Sequence, residues 1–420
     1  MTDYILLRHR DIPNLNRLEV YLQHGGFEAF KKAVTTQTPQ QVIDEIKASG
    51  LRGRGGAGFP TGVKWGLLTK DVFPRYVVAN ADESEPGTFK DRELLQNNPY
   101  QFLEGLMIAS YAAQAQLAFT YMRGEFADLA AQLETNIAEL RRQGLLGANL
   151  FGTSCSLEVR THLGAGAYIC GEESALLESI EGQRGQPRPK PPFPADKGLY
   201  QKPTVINNAE TLTNVPLIMA RGAAWFRTLG TASSPGVKIF CLSGSVQRPG
   251  NYELPLGTTF RELIYTHGGG PAGGRKLKGF MPSGASSAIL PATDDILDCP
   301  MDYESVAKKG SGLGSASVIV FDESVDAVWL ALKVAHFFKH ESCGKCTPCR
   351  VGTRLVLEVL ERVNQGEGEP EDLAQIERLG ATIVRGSLCG LGQTAPNAIL
   401  SSLRHFRPEF EARISTPSRS

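Results

Sequence analysis

The segment Leu51-Arg-Gly-Arg-Gly-Gly-Ala-Gly-Phe-Pro-Thr-Gly-Val-Lys-Trp65 combines glycines, positive charges and aromatic rings within one short stretch. Glycine tolerates positive φ angles and leaves backbone N–H groups open to a ligand. Such N–H groups beside fixed cations suit a phosphate, and aromatic rings suit an adjacent heterocycle. The candidate binding residues of this glycine-rich loop are Gly53, Arg54, Gly55, Gly56, Gly58, Phe59, Gly62, Lys64 and Trp65.

Gly53, Gly55 and Gly58 also match the G-x-G-x-x-G pattern of dinucleotide-binding folds. That fingerprint follows a strand and opens a helix. Residues 41–48 instead have the apolar spacing of a helix, which Gly50 would end. We therefore predict phosphate binding without the standard dinucleotide geometry. A mobile surface loop is the weaker alternative, because solvent-facing loops rarely need so many glycines among aromatic residues.

The bulk composition excludes several classes of protein. The chain has 420 residues, of which 41% are hydrophobic and 21% charged, and its 44 basic residues balance its 44 acidic ones. A neutral chain has no global field to attract nucleic acid or an anionic membrane. No apolar run approaches the roughly 20 residues that span a bilayer. We expect a cytoplasmic protein of two or three domains, without direct membrane insertion.

Periodicity predicts an α/β fold. Short apolar runs at residues 76–79, 117–122 and 157–162 predict strands, and segments 99–114 and 126–142 have helical spacing. Alternating strands and helices are typical of a mainly parallel sheet, here over about residues 50–230. Short extended runs after residue 237 predict a small α+β module. Helical segments at 325–339, 350–363, 370–384 and 396–413 predict a four-helix bundle.

Polar residues follow the first predicted strand, where Asn80, Asp82, Glu83 and Glu85 are candidates for ribose hydroxyls or a heterocyclic N–H group. A solvated acidic turn closed by residues 86–87 is the alternative.

Further candidates follow in the chain. Gly171, Glu172 and Glu173 stand before a predicted helix at 174–180, where the carboxylates also suit the helix dipole. The proline-rich segment 187–194 is either a linker or a rigid loop that offers Lys190 and Phe193 to an adenine. Before the next predicted helix, at 209–220, Asn207 and Asn208 suit a helix cap or a phosphate.

The cysteines supply the most specific motif. Cys343, Cys346 and Cys349 have C-x2-C-x2-C spacing, and Cys389 is a distant fourth member. This pattern favours a 4Fe-4S cluster, because zinc sites usually use paired C-x2-C knuckles. We expect the remaining cysteines to be buried apolar residues, and they are Cys155, Cys170, Cys241 and Cys299.

These motifs resemble those of the NADH-binding flavoprotein subunit of respiratory complex I, and of the diaphorase subunits of NAD-linked hydrogenases and formate dehydrogenases. The resembling segments are residues 52–64, 80–87, 164–173, 190–194, 207–208 and 341–349, in the same order. The resemblance implies FMN, NADH and one 4Fe-4S cluster. It also implies a helical segment (1–50), an FMN- and NADH-binding α/β domain (51–232), a ubiquitin-like module (233–323), a cluster-bearing bundle (324–414) and a tail (415–420).

The resemblance also assigns roles to residues. It places FMN against Gly53, Gly55, Gly56, Gly58, Lys64, Asn80, Asp82, Glu83, Asn207 and Asn208. It places NADH against Phe59, Glu85, Glu173, Lys190 and Phe193. No catalytic side chain is expected, because the flavin supplies the chemistry. Expected partners are a thioredoxin-like 2Fe-2S subunit and an iron-sulfur relay subunit, which would hold the protein on the cytoplasmic face of the inner membrane.

Two features leave the parent assembly open. Residues 389–397 are more similar to soluble diaphorases, and Glu178 stands where complex I members commonly have asparagine. The chain lacks the fused thioredoxin-like or ferredoxin domains of many soluble relatives, which favours complex I. The more remote alternatives are a zinc-stabilised scaffold without enzymatic activity and a flavin-free dehydrogenase.

Overall fold

The computed structural model describes residues 4–414, so the expected tail at 415–420 lies outside the described residues. The chain divides into two compact units. The first contains the residues up to Ser84, Phe89–Phe240 and Glu253–Gly257. The second contains Glu85–Thr88, Cys241–Tyr252 and the residues from Thr258 onward. Helices and parallel strands occur together, which confirms the predicted α/β class.

The helices that precede the glycine-rich loop are Leu18–Gln23 (α1), Glu28–Thr36 (α2) and Pro39–Ser49 (α3). Thr38 and Gln41 form a reciprocal capping box at the start of α3, and Gly50 ends it in the left-handed conformation, with a φ of 70°. The helix predicted before the loop is therefore confirmed. The last part of the glycine-rich segment forms a short helix, Thr61–Gly66 (α4), which was not predicted.

The first unit contains a four-stranded parallel sheet in the order β3-β2-β1-β4. Its strands are Tyr76–Ala81 (β1), Leu117–Met122 (β2), Glu158–Leu163 (β3) and Thr204–Asn208 (β4). The chain builds outward from β1 through β2 and β3, then returns to the other side of β1 as β4. Ligands of open α/β sheets bind outside the carboxyl ends of the strands at such a reversal. The ends of β1 and β4 therefore form the expected ligand edge.

The other helices of the first unit are Lys90–Asn97 (α5), Pro99–Ala113 (α6), Ala127–Arg142 (α7), Glu173–Ile180 (α8), Pro194–Lys197 (α9), Ala209–Arg221 (α10) and Ala223–Phe226 (α11). Buried on almost every side, α6 packs against both β1 and α10. At the α10 contact, a Cβ added at Gly105 would lie 2.0 Å from the carbonyl oxygen of Leu212. Strands β1 to β3 and the long helices confirm the elements that periodicity predicted, whereas β4 was not predicted.

A second sheet has five strands in the order β6-β5-β9-β7-β8. They are Val237–Gly244 (β5), Gly250–Pro255 (β6), Leu277–Ala285 (β7), Leu290–Pro291 (β8) and Ser317–Asp322 (β9). Strands β5 and β9 are parallel, and β7 is antiparallel to β8 and β9. Residues Glu262–His267 form a π-helical turn between β6 and β7. The helices between β8 and β9 are Asp294–Leu297 (α12) and Tyr303–Lys308 (α13).

The C-terminal part is helical, with Ala327–Glu341 (α14), Thr347–Asn364 (α15), Asp372–Gly386 (α16), Gly390–Thr394 (α17), Asn397–His405 (α18) and Arg407–Glu411 (α19). Helix α15 packs against α14 and α16, and α14 packs against α18, as expected for a bundle. The last predicted helix breaks at Phe406, because Pro408 is tolerated only in a first helical turn. Within residues 4–414 no helix is long and apolar enough to cross a membrane.

Candidate cofactor and cluster sites

The glycine-rich loop is closed on itself by short-range hydrogen bonds. The backbone N–H of Gly53 donates to the Phe59 carbonyl at 2.9 Å, and Nε of Arg52 donates to the Gly58 carbonyl at 2.7 Å. Positive φ angles were expected repeatedly in this segment, but among its glycines only Gly58 has one, of 66°. Positive φ angles therefore do not explain most of the glycines in this segment, in contrast to the expectation.

Close approach explains two of the other glycines. A Cβ added at Gly55 would lie 2.7 Å from the Cβ of Asn208, and one at Gly62 would lie 2.4 Å from the backbone N of Lys47. Glycine therefore lets the loop reach the end of β4 and lets α4 lie directly on α3. A Cβ added at Gly56 would have no atom of the described structure within 4 Å, so the backbone there faces open space.

Arg54 has a different environment from the one predicted. Its side chain is fully buried and donates to the carbonyl oxygens of Arg52, Pro235 and Val237 at 2.9–3.1 Å. Its backbone N–H donates to the hydroxyl of Thr211. The guanidinium therefore anchors the loop to neighbouring backbone and does not offer an accessible charge to a phosphate.

The predicted asparagines meet at the ligand edge of the sheet. Asn80 of β1 lies opposite Asn208 of β4, and its side-chain amide donates to the Gly171 carbonyl at 2.9 Å. Asn207 accepts a 2.7 Å hydrogen bond from the indole N–H of Trp65. Trp65 is only 1% exposed, so it supports Asn207 and is not available to cover a ligand ring as expected.

The acidic residues after β1 differ in their surroundings. Asp82 accepts from the Ser84 hydroxyl at 2.7 Å and lies beside Gly171, in the group of predicted ligands. Glu83 is buried and caps α5, because it accepts from the backbone N–H groups of residues 91 and 92 at 2.6 and 2.9 Å. Burial, together with the nearby charge of Asp91, raises the pKa of Glu83 to about 8. Its carboxylate thus serves the helix, in contrast to the predicted ligand role.

A buried set of charges beneath this edge was missed by the sequence analysis. The Lys90 ammonium lies 2.8 Å from Glu210, 3.0 Å from Asp91 and 3.3 Å from the Asn208 side-chain oxygen. Asp91 in turn accepts from the Asn208 amide at 2.8 Å. The feature of the sequence that could have revealed this network is the presence of charged residues on helix faces that also carry apolar residues. These contacts fix the orientation of Asn208.

The pKa values of two buried lysines in this network, Lys90 and Lys238, are shifted in opposite directions. Burial alone would lower the pKa of Lys90, but the adjacent carboxylates outweigh it and raise that pKa. Lys238 lies 3.7 Å from Glu210 and donates to the Arg54 carbonyl at 2.6 Å. With weaker ionic compensation, burial lowers the pKa of Lys238 to about 7.

A second charged group lies at the start of α8. Lys190 is 2.7 Å from Glu173 and 2.9 Å from Glu172, and Lys64 is 3.4 Å from Glu173 and 3.1 Å from the Ile206 carbonyl. Burial would raise the pKa of Glu173, but the charges of the two lysines hold it below its ordinary value. The structure thus joins predicted residues of the glycine-rich loop, α8 and the proline-rich segment. Glu172 also caps α8 by accepting from two backbone N–H groups.

The remaining predicted binding residues are two phenylalanines and Glu85. Phe59 is 48% exposed and Phe193 is 54% exposed, so both rings are accessible for stacking. Glu85 belongs to the second unit, where its carboxylate accepts from the backbone N–H of Ser286 at 2.9 Å. Accessible rings, open backbone at Gly56 and amides at a sheet reversal fit a flavin nucleotide and a second nucleotide.

The four predicted cluster cysteines occupy two adjoining segments. Cys343, Cys346 and Cys349 lie between α14 and the first turn of α15, and Cys389 immediately precedes α17. A Cβ added at Gly392 would lie 3.1 Å from the Cβ of Cys349. The turn that carries Cys389 therefore packs against the start of α15.

The donor set fits an iron-sulfur cluster. Burial, with a smaller contribution from the three other cysteines, raises the pKa of the Cys349 thiol to about 11. Within the described part of the chain, no three His, Cys, Asp or Glu side chains are arranged to hold a single metal ion. Four thiolates on adjoining turns suit an iron-sulfur cluster.

Known sequence families match most of the chain. Residues 46–217 match the Nuo51 FMN-binding domain, and residues 329–413 match the NADH-ubiquinone oxidoreductase-F iron-sulfur binding region. Residues 239–286 match the SLBB domain. Two of the matched regions thus contain the glycine-rich loop and the four cluster cysteines, respectively.

Individual relatives match over nearly the full length. The chain is 49% identical to an F subunit, numbered 2, of the NADH-quinone oxidoreductase of Rhizobium meliloti (strain 1021), over 99% of this chain and 98% of that protein. It is 43% identical to the F subunit of the NADH-quinone oxidoreductase of Escherichia coli (strain K12), over 95% of this chain and 90% of that protein. A structure of NAD+-reducing nickel-iron hydrogenase in the H2-reduced state has a TM-score of 0.86 and 38% identity, over 97% of this chain and 67% of that one. The chain therefore belongs to the F-subunit family of NADH-quinone oxidoreductases.

Proposed function

We propose that this chain is the NADH-oxidising flavoprotein subunit of a multisubunit redox complex. The observation that carries the proposal is the meeting of the glycine-rich loop with Asn80, Asn207 and Asn208 at the reversal of a parallel sheet. In this proposal FMN binds at that edge and NADH binds beside Phe59, Glu173, Lys190 and Phe193. The resemblance assigns Glu85 to the adenosine ribose. The domain boundaries expected from the resemblance are part of the same proposal.

The protein's own residues bind and orient the reactants. FMN, when bound, would supply the hydride-accepting and one-electron chemistry, so no side-chain nucleophile is required. Because the pKa of Glu173 is depressed and that of Lys190 is raised, both groups are charged at neutral pH. The pair presents an acceptor and a donor side by side, which suits the amide and ribose groups of a nicotinamide nucleotide. Phe59 and Phe193 supply apolar surface for the bases.

We propose that Cys343, Cys346, Cys349 and Cys389 hold the 4Fe-4S cluster that receives these electrons. Cys389→Ala tests the assignment, with Cys299→Ala as a control at a buried cysteine outside the motif. We expect Cys389→Ala to lose iron, sulfide and the paramagnetic signal of the reduced cluster. FMN content and the reduction of ferricyanide by NADH should persist. A normal cluster in Cys389→Ala would overturn the assignment.

We propose NADH:quinone oxidoreductase (complex I) as the parent assembly, with a thioredoxin-like 2Fe-2S subunit and an iron-sulfur relay subunit as neighbours. The near-complete matches to proteins named as F subunits of NADH-quinone oxidoreductase support this choice. Through such partners the chain would work on the cytoplasmic face of the inner membrane. A diaphorase of a soluble hydrogenase or formate dehydrogenase is the second candidate, favoured by the match to an NAD+-reducing hydrogenase and by residues 390–397.

A further inference from the structure

Arg188, at the start of the proline-rich segment, forms ion pairs with two glutamates. Its guanidinium lies 2.5 Å from Glu178 and 2.8 Å from Glu181, both at the end of α8 or next to it. It also donates to the Gly198 carbonyl at 2.9 Å, and its backbone N–H donates to the Ser174 hydroxyl at 2.9 Å. The side chain is only 16% exposed. Arg188 therefore ties the segment to α8 at several points.

The segment needs such an anchor because of its composition. Residues 187, 189, 191, 192 and 194 are prolines, which have no backbone N–H to donate. Backbone hydrogen bonding can thus hold only part of the segment, and side chains must supply the rest. Arginine suits this task, because its planar guanidinium can contact two carboxylates and a carbonyl in a fixed geometry.

The segment that Arg188 anchors contains candidate nucleotide-binding residues. Two residues beyond Arg188, the ammonium group of Lys190 reaches Glu172 and Glu173 at the other end of α8. Glu173 also pairs with Lys64 of α4. The segment is therefore attached to both ends of α8, through Arg188 at the C-terminal end and through Lys190 at the N-terminal end.

We propose that Arg188, through Glu178 and Glu181, is a positioning residue for NADH. Its ion pairs fix the proline-rich segment so that Lys190 and Phe193 are placed for the nucleotide before it binds. Loss of this preorganisation weakens binding without removing any group that contacts the nucleotide. Glu178, which departs from the asparagine common in complex I members, thus acquires a role in this chain. The inference rests on the proposed function.

The test compares the steady-state kinetics of FMN-loaded variants with ferricyanide as the acceptor. We expect Arg188→Gln to raise KM for NADH by about tenfold and to change kcat by less than about threefold. The reason is that the substitution weakens binding of NADH equally in the ground state and in the transition state. Arg188→Lys and Glu178→Gln should give smaller increases, because each keeps part of the contacts. The control is Arg141→Gln, which breaks the exposed pair with Glu158 and should leave KM unchanged.

A double-mutant cycle with Lys190→Gln separates positioning from general destabilisation. If Arg188 acts through Lys190, the two substitutions together raise KM by clearly less than the product of their separate effects. Independent, multiplicative effects would overturn the inference, and so would an unchanged KM in both Arg188→Gln and Glu178→Gln. Failure of the unaltered, FMN-loaded protein to oxidise NADH would instead overturn the proposed function.

Discussion

Lys90 and Glu210 place opposite charges inside the first unit, where each has 1% or less of its side chain exposed. Desolvation of such charges is costly, so the group persists only because its members compensate one another. Asp91 joins Lys90 to Asn208, which lies under the glycine-rich loop. The network therefore determines how the side-chain amide of Asn208 is presented at the ligand edge.

We expect Lys90→Met to lower the free energy of unfolding by about 3–5 kcal/mol, because it leaves two buried carboxylates with less compensation. Urea titration followed by tryptophan fluorescence measures the change. Lys31→Met, on the exposed side of α2, is the matched control and should shift the value by less than about 0.5 kcal/mol. Equal unfolding midpoints for the two variants would contradict the prediction.

Glu85 is expected to set the choice of nucleotide. A carboxylate beside the adenosine ribose accepts from a free hydroxyl and repels the 2′-phosphate of NADPH. We expect a strong preference for NADH, which Glu85→Gln should narrow, as measured by kcat/KM for both nucleotides. Glu371→Gln, at an exposed glutamate, is the control. Equal kcat/KM for NADH and NADPH in the unaltered protein would refute the role.

At the scale of elements, α4 packs directly on α3, and the closest approach between the two helices is at Gly62. Gly62→Ala would force its Cβ to within 2.4 Å of the Lys47 backbone N. We expect a cost of about 1–3 kcal/mol in unfolding free energy, and faster loss of FMN on dilution, because α4 must move away from α3. The matched control is Gly66→Ala in the same helix, where the nearest neighbour, Ile43, lies at 3.9 Å. If both variants retained FMN equally, α4 would not support the loop as described.

The elements that sequence periodicity predicted are those with long, regular patterns. Helices α3 and α6 and strand β2 are examples, since their apolar spacing and end signals agree. Strand β4 was missed because it is short and ends in two asparagines, which read equally well as a helix cap. The bundle was predicted, but the break at Phe406 was not.

Residue types at the candidate site were easier to predict than their partners. The sequence placed cations, amides and carboxylates near one another, but it could not show that Arg54 faces carbonyl groups or that Glu83 caps a helix. Such roles depend on segments far apart in the chain, such as residues 54 and 235. The motif of the cluster cysteines was more informative, because ligand number and spacing follow from the cluster itself.

At the scale of the whole molecule, one flavin and one cluster would make a converter between two-electron and one-electron chemistry. The sequence contains no second cluster motif and no recognisable site for a terminal acceptor. With balanced charge, 44 basic against 44 acidic residues, the chain also lacks a global field that would attract a charged redox partner over distance. We therefore expect electrons to leave through a stable interface with another subunit.

The last prediction is that the protein acts only as an electron relay within a larger complex. The isolated, cofactor-loaded chain should reduce ferricyanide with NADH, because a small artificial acceptor needs no partner, and it should reduce quinone at no more than a background rate. Purification from native membranes and cytosol identifies the assembly. Copurification with quinone-reducing subunits supports complex I, whereas copurification with a molybdenum or nickel subunit would replace it by a soluble dehydrogenase or hydrogenase. Efficient quinone reduction by the chain alone would contradict the relay altogether.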